Sequence, residues 1–340
     1  MFIAKESKGI TLKESLEEKL LKYFKAKACN INIISFFYNT PRIFKKLILY
    51  ALAQKKTVLY ITNENVNDVF LVNILREEGV ICNYLGPQLT TSLKSGLNVV
   101  NHNGALYLDE KFDLVIYDDI NSMPLYNKEC IKKLLESCCA DYGTMIAYSV
   151  EQVFTSEVTL FQCPNNNGKP LIEPRIINTR INVNEDLPLV VYDYLKWSII
   201  SNKKVVIYVP DDKKVDNIYN YLINFKDELT KNIFSYKSCG KKHESLTKFL
   251  AKAKAIMVTN CFENSDVDLT GINVMVFFAE DEIFNYKKLV YLSSRASRSK
   301  SLERGEVIFL SNELSEDMDN AKDILRELNK RAWEAGFLNL

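Results

Sequence analysis

Short runs of β-branched and aromatic residues alternate along the chain with stretches of helical period. NINIISFF (30–37) precedes PRIFKKLILYALAQ (41–54), a helix with Pro41 at its start. TVLYIT (57–62) precedes VNDVFLVNILREEG, a helix closed by Gly79. ICNYL, LNVV and FDLVIYDD read as strands, a helix runs from about Lys128 to Cys138, and TMIAYSV completes the first half. Proline suits a first helical turn, whose N–H groups have no partner anyway, and glycine suits the residue after a helix end. Runs apolar at every position are strands buried on both faces, so the pattern predicts a largely parallel sheet flanked by helices.

The interval 161–186 breaks this rhythm. CPNNNGKPLIEPR combines three prolines, three asparagines and a glycine, which disfavour helix and strand alike, and it reads as an interdomain linker. The scheme then repeats: a helix over LPLVVYDYLKWSII, the strand KKVVIYV, a helix beginning after Asp211, and the strand NIFSY. HESLTKFLAKAKA, AIMVTN, INVMVFF, a helix over Asn285 to Arg295, GEVIFLS and a final helix from Glu316 follow. The predicted organisation is a basic helical segment (1–30), an α/β domain (31–160), the linker (161–186), a second α/β domain (187–315) and a closing helix (316–340).

Composition narrows the function classes. Of 340 residues 47% are apolar, too many for a disordered chain, yet none of the apolar runs approaches the ~18 residues of a membrane span. The opening residues lack the apolar core of a signal peptide, and the eight cysteines show no metal-binding spacing. The expectation is a cytoplasmic protein with reduced thiols and no structural zinc. Overall charge is balanced, 44 basic against 43 acidic residues, but residues 1–60 carry twelve Lys and Arg against four Glu. That excess is either a solvated helix face or a surface for an anionic partner. His102 and His243 read as packing or surface residues, and Phe36 and Phe37 as core.

Ligands of parallel sheets collect at the carboxyl ends of the strands. There FDLVIYDDINSMP places Asp118 and Asp119, a pair suited to holding Mg²⁺ and orienting a water, although adjacent acids also simply form turns. Late in the chain YLSSRASRS carries Arg295 and Arg298, planar donors suited to a γ-phosphate.

With these segments in order, the stretch from about Ile31 to Leu338 resembles the helicase portion of the ComFA family of late competence proteins, related to the primosomal helicase PriA. FDLVIYDDINSMP is similar to the family's FDxxIxDEVDAFP, and KKVVIYVPDDKKVDNI to its fourth motif. AIMVTNCFENSDVD resembles VTTTxLERGVT, YLSSRASRS resembles QIAGRVGRS, and AKDILRELNKRAWEAGFL the closing helix. The resemblance implies two tandem RecA-like domains, MgATP in the cleft between Asp118 and the two arginines, and DNA contacts near Thr62, Glu64 and Thr259.

The departures bear on activity. Where the family has GAGKT, this chain has Tyr38, Asn39, Thr40, Pro41 and Arg42, with neither the glycines that curl around phosphate nor the lysine. Thr40, Arg42 and Lys45 are the remnants of a nucleotide site, with Arg42 or Lys45 as a substitute charge. Asp118 keeps the metal-binding position, Asp119 is one methylene shorter than the family's glutamate, and Asn264, Ser265 and Asp266 replace Glu-Arg-Gly. Glu64 stands where the family has an arginine and would repel a DNA phosphate. The resemblance with these losses implies a degenerate superfamily 2 helicase-like protein, impaired in ATP hydrolysis, that binds nucleic acid or protein. An active DNA-dependent ATPase with an unusual loop is one alternative; a structural partner in a competence or replication complex is another. Any binding of single-stranded DNA is expected to be weak.

Overall fold

Strands without a polar face need helices on both sides, and the computed structural model arranges them so. It describes residues 14–37, 39–85, 96–155, 158–163, 168–237, 243–262, 272–297 and 305–338. After α1 (Leu16–Lys25) the first half contains β1 (Asn30–Ile34), a 3-10 turn (Pro41–Phe44), α2 (Lys45–Ala53), β2 (Val58–Thr62) and α3 (Phe70–Glu77). It continues through β3 (Cys82–Tyr84), β4 (Leu97–Val100), α4 (His102–Ala105), β5 (Phe112–Asp118), α5 (Lys128–Cys138), β6 (Cys139–Ser149) and β7 (Val158–Phe161). These strands form one sheet in the order β3-β4-β2-β5-β6-β1-β7.

The second half runs β8 (Arg175–Asn178), α6 (Leu189–Ile200), β9 (Lys204–Tyr208), α7 (Asp212–Asn224), β10 (Ile233–Tyr236), α8 (His243–Leu250) and β11 (Ala255–Thr259). Then come β12 (Asn273–Phe277), α9 (Tyr286–Ala296), β13 (Val307–Ser311) and α10 (Glu316–Glu334). Its sheet has the order β10-β11-β9-β12-β13-β8. The strand pairs are parallel in both sheets, as the continuous apolar runs require.

One boundary differs from the expectation. Arg175–Asn178, inside the expected linker, pairs in parallel with β13 as the edge of the second sheet. Pro174 ends the breaker-rich stretch immediately before it, and a proline ahead of an edge strand removes no ladder bond. The second domain therefore begins before residue 187. Residues 164–167 of that stretch lie outside the described residues.

Buried asparagines tie strands to loops. Asn32, in the interior of β1, donates through Nδ2 to the Phe154 carbonyl at 2.9 Å and accepts from the Val153 and Phe154 amides at 2.9 Å each. Asn273 of β12 does the same work in the second sheet, bonding Ser198 Oγ and accepting from the Glu306 amide. Each half has an apolar cluster of its own, but a third cluster is continuous across them, from Ile33 and Phe37 through Tyr291 to Met318. The expected cleft is thus partly filled by packing. Among the described residues no helix is long and apolar enough to cross a membrane.

Candidate functional site

Strand β5 delivers Asp118 and Asp119 to the carboxyl edge of the first sheet, beside the ends of β2 and β6. Asp118 is fully buried. Its Oδ1 accepts from the amides of Ile120 (2.9 Å) and Asn121 (3.1 Å), and its Oδ2 from Asn121 Nδ2 (2.8 Å) and the Tyr60 hydroxyl. A carboxylate offers about four acceptor positions, so donors of the protein itself occupy the set. Burial pushes the Asp118 carboxyl up from its ordinary range, against the pull of those donors.

Asp119 faces the other half of the molecule. Its Oδ2 accepts from Ser149 Oγ (2.9 Å) and from Nζ of Lys287 (2.7 Å), a residue of α9. The two side chains are 2% and 1% exposed. Glu151 lies 3.5 Å from the same ammonium and accepts from the Tyr286 hydroxyl at 2.6 Å, extending the polar contact across the interface. Burial raises the Asp119 carboxyl, opposed by the Lys287 charge and hydrogen bond and by Ser149. Asn285 caps α9 by accepting from the Lys288 amide, and Asp317 of the last helix accepts from the Tyr286 amide, fixing where Lys287 emerges. A cation in a helix's first turn opposes the helix dipole, so the tertiary ion pair places this lysine, not local preference.

The turn after β1, where the family has its phosphate loop, buries most of its described side chains. Phe36 and Phe37 are buried; the first meets Phe161, and the second meets Tyr291 of α9 edge-on at 5.2 Å. Asn39 is buried and donates to Ser35 Oγ (2.9 Å) and the Cys163 carbonyl (3.1 Å). Thr40 is exposed and its carbonyl accepts from Gln162, Arg42 is exposed, and Lys45 turns away to pair with Glu78 at the end of α3. Tyr38 lies outside the described residues. As arranged, this corner does not fit a magnesium triphosphate. Among the described residues Phe36 and Phe37 are buried in the turn, Lys45 is paired with Glu78, and the Asp118 oxygens already accept four protein donors.

Arg295 is 1% exposed, and its Nη1 donates to the Tyr208 hydroxyl (3.1 Å) and the Phe262 carbonyl (3.2 Å), both in the second half. Arg298 and the segment 264–266 lie outside the described residues, so the expected constellation of two carboxylates and two arginines is described only for Asp118, Asp119 and Arg295.

Thr62 and Thr259 occupy matching positions as the last residues of β2 and β11. Both are buried, and each hydroxyl accepts from the amide two residues on, Glu64 at 3.2 Å and Cys261 at 2.9 Å. Glu64 folds inward rather than outward. Its Oε1 accepts from Thr62 Oγ1 and its Oε2 from the Phe70 amide at the start of α3. Burial, then the Asp118 charge, pushes Glu64 up to about 8. Glu64 is half-buried, with both carboxylate oxygens engaged by Thr62 and Phe70. His102 is a packed residue, stacked on Tyr126 with Nδ1 2.8 Å from the Tyr117 hydroxyl and lowered to about 4 by burial.

Sequence reasoning missed Lys287. Its helical phase was no guide, because α9 is buried on nearly every face, from Leu289 through Ala296. A groove of about 510 Å³ between the halves is lined by Lys128, Glu129, Glu151, Tyr286, Asp323 and Glu327 among others, a surface more acidic than basic.

The two mainly parallel sheets flanked by helices have the fold of two tandem RecA-like domains, as in helicases. The fold matches the crystal structure of the E. coli DExH-box NTPase HrpB with a TM-score of 0.50 at 11% identity, over 90% of this chain and 43% of that one. It matches a second structure, of the Escherichia coli DEAH/RHA helicase HrpB, with a TM-score of 0.51 at 13% identity, over 93% and 43%. In sequence the chain is similar to competence protein ComFA of Bacillus subtilis (strain 168), 19% identical over 251 residues, which is 70% of this chain and 53% of ComFA. The chain spans about half the length of this curated relative. No protein-family model matches.

Two outcomes follow from the buried charges. Lys287→Met leaves Asp119 buried without its cation and is expected to destabilise the protein by about 3–5 kcal/mol, whereas Asp119→Asn/Lys287→Met recovers most of that loss; urea unfolding of the three proteins measures it. The second concerns pH. Because the folded pKa of Glu64 lies above its unfolded value, its stabilisation is complete below the ordinary carboxylate range and is lost as pH rises through about 8. Glu64→Gln should therefore gain up to about 2 kcal/mol on wild type between about pH 5 and about pH 8, read as a widening difference in melting temperature.

Proposed function

We propose that this chain is a helicase-fold binding module in which a buried ion pair and aromatic packing, rather than ATP, hold the two RecA-like halves together. The observation that carries the reading is the Asp119–Lys287 pair, which engages the acidic-motif carboxylate in a contact between the halves. Two further features support it: the Phe37–Tyr291 contact at the former phosphate turn, and the full acceptor set of Asp118. A phosphate loop works through several charge-assisted hydrogen bonds of about 1.5–3 kcal/mol each, and their joint loss removes most nucleotide affinity. The similarity to ComFA supports a nucleic-acid-related role.

Single-stranded DNA is the ligand this reading favours. In the basic opening region Lys22, Lys27, Arg42 and Lys55 are exposed and make no ion pair among the described residues, whereas Lys45, Lys46 and Lys56 are paired with Glu78, Glu17 and Asp113. The acidic groove between the halves offers phosphate nothing, so binding belongs on the α1 and α2 side.

Calorimetric titration with MgATP, with and without single-stranded DNA, is expected to show no sub-millimolar binding, and turnover assays no DNA-stimulated hydrolysis. A dissociation constant in the low micromolar range would sink the reading. Fluorescence anisotropy should show sequence-independent single-stranded DNA binding at low ionic strength. With a salt slope of about −0.7 per phosphate contact, a few contacts leave little of it near physiological salt. Lys22→Glu/Lys27→Glu should weaken it at low salt. Wild-type protein that fails to bind even there would leave a protein partner as the ligand.

A further inference from the structure

Helix α6 has an inner face that packs on the second sheet through Val191, Leu195 and Ile199. A surface helix ordinarily turns polar residues outward. Here Leu189 is 72% exposed, Ile200 70%, Val190 49% and Trp197 44%. Asp193 and Lys196 are the exposed charges among them, and neither makes an ion pair among the described residues; Lys196 rests over the Tyr192 ring.

The arrangement of these residues is specific. At about 100° per residue, Leu189, Asp193, Lys196 and Ile200 fall in a stripe roughly 60° wide, with Val190 and Trp197 along one flank. Along the axis the stripe reads apolar, acidic, basic, apolar. Reversed, it reads apolar, basic, acidic, apolar, which is its own complement. Two copies of α6 laid antiparallel about an axis between Tyr194 and Leu195 set Leu189 against Ile200 of the second copy and Asp193 against its Lys196. Parallel pairing in register would set like charges together. A two-fold interface needs such a self-complementary patch.

We propose that this outer face of α6 is the seat of a two-fold homodimer of the chain. The pairing closes both charges and covers the four apolar side chains. It uses no residue of the site between the halves, so it stands or falls independently of the nucleotide reading. One helix pair covers less than the ~800 Å² per partner of a standard interface, so the dimer should be weak, with a dissociation constant on the order of 10 µM.

Sedimentation velocity over a concentration series tests this with charge reversals. Asp193→Lys alone and Lys196→Asp alone each place like charges opposite one another and should weaken dimerisation at least tenfold. The double variant Asp193→Lys/Lys196→Asp should restore it. So should an equimolar mixture of the two single variants, in which every charge meets its opposite. The mixture remains readable even if a single variant is less stable, because both components carry their own defects into it. Wild-type protein that stays monomeric to about 200 µM would overturn the proposal, leaving the stripe to another protein. So would a dimer indifferent to the single reversals, or one that neither the double variant nor the mixture restores.

Discussion

The relation between the two halves depends on one ammonium group and one carboxylate meeting out of water. A charge buried alone costs several kcal/mol, so Lys287 and Asp119 can occupy their positions only together. Because one belongs to the first sheet's edge and the other to α9, the pair ties the two halves to each other. Much of the surroundings serves that meeting. Ser149 holds the carboxylate, Glu151 and Tyr286 extend the polar contact, and the Asn285 and Asp317 bonds set the first turn of α9. Such a pair contributes more to which surfaces dock, and how, than to net stability.

That constraint has a dynamic side. Catalytic cycles that run through domain closure need the halves to part and return on a microsecond to millisecond scale. Opening here would strand two charges and expose the edge-on contact of Phe37 with Tyr291 together with the apolar cluster around it.

The parallel sheets were legible because burial on both faces leaves a direct mark, a run such as VLYIT or AIMVT with no polar alternation. Helix starts were legible where a side chain caps them, as at Asp211 and Asn285. Strand β8 was not, because RIIN is short, partly exposed and follows Pro174, and only its pairing with β13 makes it a strand. Asp118 and Arg295 could be picked out by residue type and order, but their partners could not. Tyr60, Asn121 and Tyr208 are unremarkable in sequence and meet these residues only through the sheet. The inward turn of Glu64 was hidden for a similar reason: position suggested a surface residue, while the amide of Phe70 six residues away supplied a better partner than solvent.

Asp118 in this setting is a knot in the backbone. Its carboxylate gathers a tyrosine hydroxyl, two successive amides and an asparagine side chain, and so defines the path of residues 118–121. Truncating it to alanine would release four donors into the interior. The customary alanine exchange at the acidic motif therefore has a different meaning in this chain. A loss of any property after that exchange would report the broken loop together with any role of the carboxylate itself.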